Sequence, residues 1–151
     1  MNERPREEAV HELLAAVIGL VRDWNAVSTQ GSVARAVGVE IPAGDVRALY
    51  TMGLLGGSIR PAALADELAQ SRPTTSKLIA RLEAAGLVER ARGEGDQRAI
   101  EIAFTEQGRD AYERLAAAGT QLVERAMAHQ TTAEIDVITA ASRRLTGEFR
   151  D

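Results

Sequence analysis

The chain of 151 residues contains no cysteine and very few aromatic residues. Without cysteine it can form neither a disulfide nor a thiolate metal site, and it cannot sense oxidants through a thiol. No apolar run approaches the roughly 18 residues that a membrane span requires. The first residues, MNERPREEAVHE, mix both signs of charge and lack the apolar core of a secretory signal. We therefore expect a cytoplasmic protein without a membrane partner.

Histidine is also scarce, with only His11 and His129 in the chain. His11 begins a stretch, HELLA, that is similar to the start of a zinc-protease helix, but Ala15 stands where the second histidine ligand is needed. Residues 93–95, GEG, do not form a phosphate cradle because a predicted strand follows them rather than a helix. No nucleophile with a matching base is suggested. We therefore expect no metal, no cofactor and no enzymatic activity.

The positive charge is concentrated rather than abundant. A net charge of −4 and a pI near 5.3 argue mildly against binding a polyanion. The position of the basic residues matters more than their total number. Residues 70–80 contain no acidic residue, and Arg72, Lys77 and the following Arg81 give this stretch a local charge of +3, the sum of three cations. This stretch is the first candidate for a binding surface.

Apolar residues at steps of three and four predict long helices at the start of the chain. One amphipathic helix begins near Val10 and extends through Trp24, and residues 28–32, STQGS, predict a kink or turn after it. Gly38 and Pro42 mark a stop and a restart. A second helix is predicted over residues 43–55, where it ends at a glycine pair. The residues that this helix is expected to bury are Val46, Leu49, Tyr50 and Leu54.

Two short helices follow in the centre of the chain. Pro61 suits the first turn of the third helix, and Ser71 is a good N-cap for the fourth. The inward stripe of the fourth helix includes Thr75, whose hydroxyl can bond to the carbonyl one turn earlier. Gly86 is expected to end this helix in a left-handed conformation.

An alternating segment, residues 98–104, predicts a strand that returns along a strand at residues 87–90, with a glycine-flanked connection over residues 93–97. Thr105 caps a fifth helix with a long apolar stripe, and Thr131 or Thr132 caps a last helix that extends to Phe149. The order of elements predicts a mainly α fold with a small β-hairpin wing, that is, a winged helix-turn-helix with helical extensions at both ends.

Residues 64–108 resemble the MarR family, the multiple antibiotic resistance type of bacterial winged-helix regulators. The resemblance rests on ALADEL, on SRPTTSKLIARLEAAGLVER, on the wing signature at residues 96–99 and on the join FTEQG at residues 104–108. It implies a DNA-binding module over residues 41–108, between an N-terminal dimerisation region (1–40) and C-terminal dimerisation helices (109–151). Arg60, Thr75 and Phe104 depart from residues common in the family, and none of them lies on the proposed DNA face.

The fourth helix offers the expected DNA contacts. We assign Thr74, Ser76 and Lys77 to base or mixed contacts and Arg72 and Arg81 to phosphates, and Ser71 caps the positive end of the helix. At the hairpin tip, Arg98 can enter the minor groove and Asp96 can hold its guanidinium in position. The alternative is that the basic residues of the helix form an ordinary solvated face and that Asp96 and Arg98 are surface residues of a turn without a role in binding.

Two further expectations concern partners. A homodimer would place two recognition helices in successive major grooves, about 34 Å apart, and select an inverted repeat; alternatively, the terminal stripes pack within one chain. Trp24, Tyr50 and Tyr112 are candidates for a pocket that takes a small aromatic or anionic effector, as the resemblance implies, and alternatively they are core packing. The predicted function is a ligand-responsive repressor. The alternative is a winged-helix protein-interaction or assembly module without specific DNA binding.

Overall fold

The computed structural model describes residues 5–92 and 100–149. Its helices are α1 (Arg6–Asn25), α2 (Val27–Ala36), α3 (Ala43–Leu54), α4 (Pro61–Leu68), α5 (Arg72–Ala84), α6 (Glu106–Ala126) and α7 (Thr132–Glu148), and its strands are β1 (Ser58–Ile59), β2 (Val88–Arg92) and β3 (Ile100–Phe104). The predicted mainly α winged helix-turn-helix is confirmed. The chain divides into two compact units, Met1–Ala116 and Ala117–Asp151.

The prediction of a kink or turn at residues 28–32 is wrong. These residues lie inside α2, and the break falls earlier, at Ala26, which has an extended conformation (φ −63°, ψ 131°). Gln30 is buried, and its side-chain amide donates to the Trp24 carbonyl at 3.4 Å across the break. Gly31 is also buried, and a Cβ there would lie 3.3 Å from the Cβ of Ala43. Gln30 and Gly31 therefore pack against neighbouring residues as part of a helix, and the segment is not a turn.

α3 supplies the centre of the core in the first unit. Val46 and Leu49 are fully buried and Tyr50 is half-buried, as predicted, but Leu54 is 80% exposed, so its predicted burial is wrong. The reason is that α3 ends at Leu54. Gly56 and Gly57 then adopt φ values of 92° and 89°, which L side chains rarely adopt, and turn the chain into β1.

The three strands form an antiparallel sheet in the order β1-β3-β2. Ser58 pairs with Ala103, and Val88 pairs with Phe104. β1 was not predicted, because two residues are too short to show an alternating pattern. On β3, Ile102 and Phe104 face the core as predicted, whereas Ile100 is 54% exposed.

The helix-turn-helix consists of α4 and α5. Its inward residues are buried as the periodicity predicts, namely Leu64, Ala65, Leu68, Leu78, Ile79 and Leu82. Gly86 has the predicted left-handed φ of 72°. The two helices therefore stand on the same core as α3 and the sheet, and this core determines which side of α5 faces solvent.

Local capping signals were read correctly in both units. The Thr105 hydroxyl accepts from the Gly108 N–H at 3.0 Å at the start of α6. In the second unit, Thr131 caps α7 and forms a reciprocal capping box with Glu134. The cap that the sequence left open between Thr131 and Thr132 is therefore Thr131.

α1 and α7 each have an uncovered apolar face. Neither helix contains a buried residue. The large apolar side chains that α1 exposes are Val10, Leu13, Leu14, Ile18, Leu20, Val21 and Trp24, and those of α7 include Val137 and Ile138. Over residues 5–92 and 100–149, no helix combines the length and the apolar character needed to cross a membrane.

Candidate nucleic-acid interface

The outer face of α5 carries the residues that the sequence assigned to DNA. Arg72, Thr74, Ser76 and Lys77 are exposed, whereas Thr75 between them is 1% exposed and faces the core. The separation follows from the helical period, because Leu78, Ile79 and Leu82 commit the opposite side of α5 to burial. The face is therefore continuous, polar and basic.

The N-terminus of α5 is well defined. The Ser71 hydroxyl accepts from the Thr74 N–H at 3.3 Å, and the Ser71 and Thr74 hydroxyl oxygens lie 2.8 Å apart. No acidic residue lies in the first turn. The partial positive charge of the helix start therefore adds to the charge of Arg72.

Arg81 differs from these residues because it is paired within the chain. Its Nε donates to Asp45 Oδ2 at 2.8 Å, and its Nη2 donates to Asp45 Oδ1 at 2.6 Å. The Asp45 side chain on α3 is 2% exposed, and the Arg81 side chain is 50% exposed. The hydrogen bonds to Asp45, followed by its negative charge, raise the pKa of Arg81 above its ordinary value.

A second ion pair joins α5 to the sheet. Arg90 on β2 donates from Nε to Glu83 Oε1 at 3.0 Å and from Nη2 to Glu83 Oε2 at 3.5 Å. Sequence reasoning missed both pairs. A carboxylate 36 residues before its arginine gives no local signal, and Arg90 lies seven residues beyond Glu83 on a different element.

The prediction that the Thr75 hydroxyl bonds to the carbonyl one turn earlier is wrong. Its hydroxyl oxygen finds no hydrogen-bond partner among the residues that the structure describes. The carbonyl one turn earlier, on Ser71, accepts the Thr75 backbone N–H at 3.0 Å instead. An open cleft of about 280 Å³ lies beside this side chain and is lined by Pro61, Ala62, Arg72, Thr75, Ser76, Ile79 and Arg90.

The wing residues Asp96 and Arg98 lie outside the described residues. The strands on either side of them are described and paired, with Arg92 at the end of β2 opposite Ile100 at the start of β3. The antiparallel register agrees with the predicted hairpin.

The three aromatic candidates for a ligand pocket take part in two separate ring contacts. The rings of Trp24 and Tyr50 lie 5.6 Å apart, whereas Tyr112 stacks on Phe104 at 5.8 Å. The Tyr50 hydroxyl donates to the Leu115 carbonyl at 2.6 Å, and burial raises the pKa of Tyr50. The cavity beside Trp24 and Tyr50 measures about 10 Å³, which is about the size of one water molecule. In this conformation the rings themselves fill the space.

One part of the chain, which begins in α2 and includes the whole helix-turn-helix, matches a known family. Residues 29–99 match the model of the MarR family. This part of the chain belongs to the MarR family. Among curated proteins no match was found.

Solved structures extend the likeness to nearly the whole length of the chain. RV1404 from Mycobacterium tuberculosis is 25% identical, with a TM-score of 0.66 and coverage of 97% of this chain and 96% of that one. A MarR family protein from Bacillus stearothermophilus is 20% identical, with a TM-score of 0.73 and coverage of 98% and 100%. Streptococcus pneumoniae FabT, solved in complex with DNA, is 20% identical, with a TM-score of 0.69 and coverage of 96% and 98%. The terminal helices therefore follow the MarR fold as well.

Proposed function

We propose that this MarR family protein is a sequence-specific DNA-binding transcription regulator. The observation that carries the proposal is the exposed face of α5, where Arg72, Thr74, Ser76 and Lys77 stand together without an acidic neighbour in the first turn. A helix with such a face fits the major groove, where hydroxyl and cationic side chains meet base edges and phosphates. The FabT structure, which contains DNA, supports the same use of this fold.

Each side chain of this face has a role in the proposal. Thr74, Ser76 and Lys77 read bases or make mixed contacts, and Arg72 neutralises a phosphate near the helix start that Ser71 caps. On the wing, Arg98 enters the minor groove, steadied by Asp96; this part of the proposal rests on the sequence alone. Arg72 and Arg98 are expected to add electrostatic affinity for DNA of any sequence. Ser76 and Lys77 are expected to add preference among sequences.

A homodimer completes the proposed binding unit. α1 has no buried residue and exposes seven large apolar side chains, and α7 in the second unit also has no buried residue. Exposed apolar area of this kind is expected to be buried against a partner, at about 25 cal/mol per Å² of area removed from water. A second copy, joined through residues 1–40 and 109–151, would present two copies of α5 to an inverted repeat.

We further propose repression relieved by a small aromatic or anionic effector, in a cytoplasmic protein. Trp24 and Tyr50 lie side by side in the first unit and provide an apolar surface for such a ligand. Because their rings fill the space, the ligand would have to separate them, and it would change DNA binding through its higher affinity for that altered conformation. Quenching of Trp24 fluorescence by a substituted phenol or a benzoate, together with release of bound DNA, is the expected result. Quenching without release of DNA would contradict the proposed relief of repression.

The chain offers a direct test, because Lys77 is its only lysine. Duplexes retained from a random pool are sequenced, and the protein is then acylated with an amine-selective reagent with and without the selected duplex. We expect an enriched inverted repeat and protection of Lys77, while the terminal amine serves as the internal control. Equal, weak retention of every duplex with no protection would favour the protein-interaction module.

Arg98→Ala tests the wing. Removal of one phosphate or groove contact should weaken binding to all sequences and reduce the slope of log affinity against log salt by about one. Lys77→Ala, in contrast, should change the preference among sequences. A salt titration in which Arg98→Ala matches the wild type would contradict the assignment of the wing.

A further inference from the structure

Asp45 is a buried acid in the first unit whose charge depends on one partner. It lies in the first turn of α3, its side chain is 2% exposed, and both carboxylate oxygens accept from the Arg81 guanidinium. The start of a helix favours a negative charge, and the fork of two N–H donors satisfies it. Loss of Arg81 would leave a buried carboxylate without its counter-charge.

The same contact changes what Arg81 can offer to DNA. Nε and Nη2 are committed to Asp45 at 2.8 and 2.6 Å. The remaining N–H groups belong to a cation that a carboxylate already neutralises, so their attraction for a phosphate is much reduced. This differs from Arg72, which lies on the outer face of α5.

α5 is held from two directions. Arg81 reaches α3, and Glu83, two positions later, reaches Arg90 on β2. Residues two apart on a helix point about 200° away from each other, since each step turns the helix by about 100°. The two pairs therefore restrain the rotation of α5 about its own axis, and that rotation decides where Ser76 and Lys77 point.

We propose that Arg81 is a positioning residue for DNA reading and not a phosphate contact, with Asp45 as its required partner. The proposal rests on the proposed function. Hydrogen bonds to base edges weaken steeply as their angles depart from linearity, so an α5 that is free to turn loses discrimination before it loses general attraction for DNA. The pair therefore determines the ratio of specific to non-specific affinity.

The two roles predict opposite results for Asp45→Asn. If the pair positions α5, the operator affinity falls by about tenfold or more, comparable with one mismatched base pair, while non-specific affinity does not fall. If Arg81 contacts a phosphate, the same substitution frees its guanidinium and removes a negative charge, so binding becomes tighter. Asp110→Asn is the matched control, because it breaks an exposed aspartate–arginine pair with Arg114 on α6 and should change neither affinity.

Variants at Arg81 give a second, independent measurement. Arg81→Met should lower operator affinity without changing the salt slope, whereas Arg72→Ala should reduce the slope by about one. Arg81→Lys keeps the charge but loses the two-donor fork. Its operator affinity should therefore resemble that of Arg81→Met and not that of the wild type. Arg81→Met leaves Asp45 buried without a counter-charge, so folding is checked for each variant by circular dichroism, and Arg81→Lys, which keeps the charge, gives the measurement where Arg81→Met does not fold.

The outcomes separate the two proposals. A wild-type protein that selects no duplex overturns the proposed function, and the positioning role with it. A wild type that selects its operator, together with tighter binding by Asp45→Asn or a slope reduced by about one in Arg81→Met, overturns the positioning role alone. Additive effects of Asp45→Asn and Arg81→Met on the specificity ratio would also overturn it, because paired residues must couple.

Discussion

Gly53 allows α3 to approach the base of α6 closely within the first unit. A Cβ at this position would overlap the ring of Tyr112, which itself stacks on Phe104 at 5.8 Å. Gly44 lies in the same helix, and a Cβ there would meet nothing within 4 Å. Alanine substitutions at the two positions therefore separate the cost of overlap with Tyr112 from the gain in helix propensity within one helix.

The expected effects have opposite signs. Gly44→Ala should stabilise the protein by about 0.5–1 kcal/mol, since alanine is the better helix former. Gly53→Ala receives the same gain but forces Tyr112 to move, and overpacking of this kind costs about 1–3 kcal/mol. We therefore expect Gly53→Ala to lower the free energy of unfolding by about 1–2 kcal/mol, a fall in Tm of roughly 2–4 °C for each kcal/mol.

Urea unfolding at one fixed protein concentration measures both effects, because self-association would otherwise change the apparent stability. A second cycle in the Tyr112→Ala background isolates the overlap. There, Gly53→Ala should no longer be destabilising, because the ring that it would displace is absent. A Gly53→Ala protein as stable as Gly44→Ala would refute the close approach of α3 and Tyr112.

Three further effects on folding follow from the structure. Thr75→Val removes a buried hydroxyl without a described partner and should raise the free energy of urea unfolding by about 1 kcal/mol, whereas Thr75→Ser should lower it; a less stable valine variant would show that the hydroxyl is bonded. Ser71→Ala removes the cap of α5 and should cost about 1 kcal/mol in the same assay, and an unchanged midpoint would count against that cap. The Thr131 N–H, followed by its hydroxyl, holds the pKa of Glu134 below its ordinary value of 4.5, so the capping box stabilises α7 above that pH and this contribution is lost as pH falls through the lowered pKa. The protection factors of the α7 amides should therefore fall in acid for the wild type and show no such step for Glu134→Gln.

Local signals explain what the sequence predicted well. The caps at Ser71, Thr105 and Thr131 depend on residues three positions apart, and the buried side of α5 repeats with the period of a helix. These features need no knowledge of tertiary contacts. The winged helix-turn-helix, which is built from such segments, was therefore predictable.

Contacts between distant segments account for the errors. Glycine and serine weaken a helical pattern and predict a turn at residues 28–32, yet Gly31 is buried in a helix, where a Cβ would lie 3.3 Å from the Cβ of Ala43. Arg81 was counted among free cations because its partner, Asp45, lies on another helix. Composition gives the charge of a segment, but only the fold shows which of these charges are already neutralised.

The two ion pairs that hold α5 use positions 81 and 83, while Ser76 and Lys77 lie exposed and take no part in either pair. The residues that hold α5 in place are thus different from the residues that it exposes for binding. Under the proposed function, exchange of side chains at positions 76 and 77 should consequently change which DNA sites the protein prefers without unfolding it.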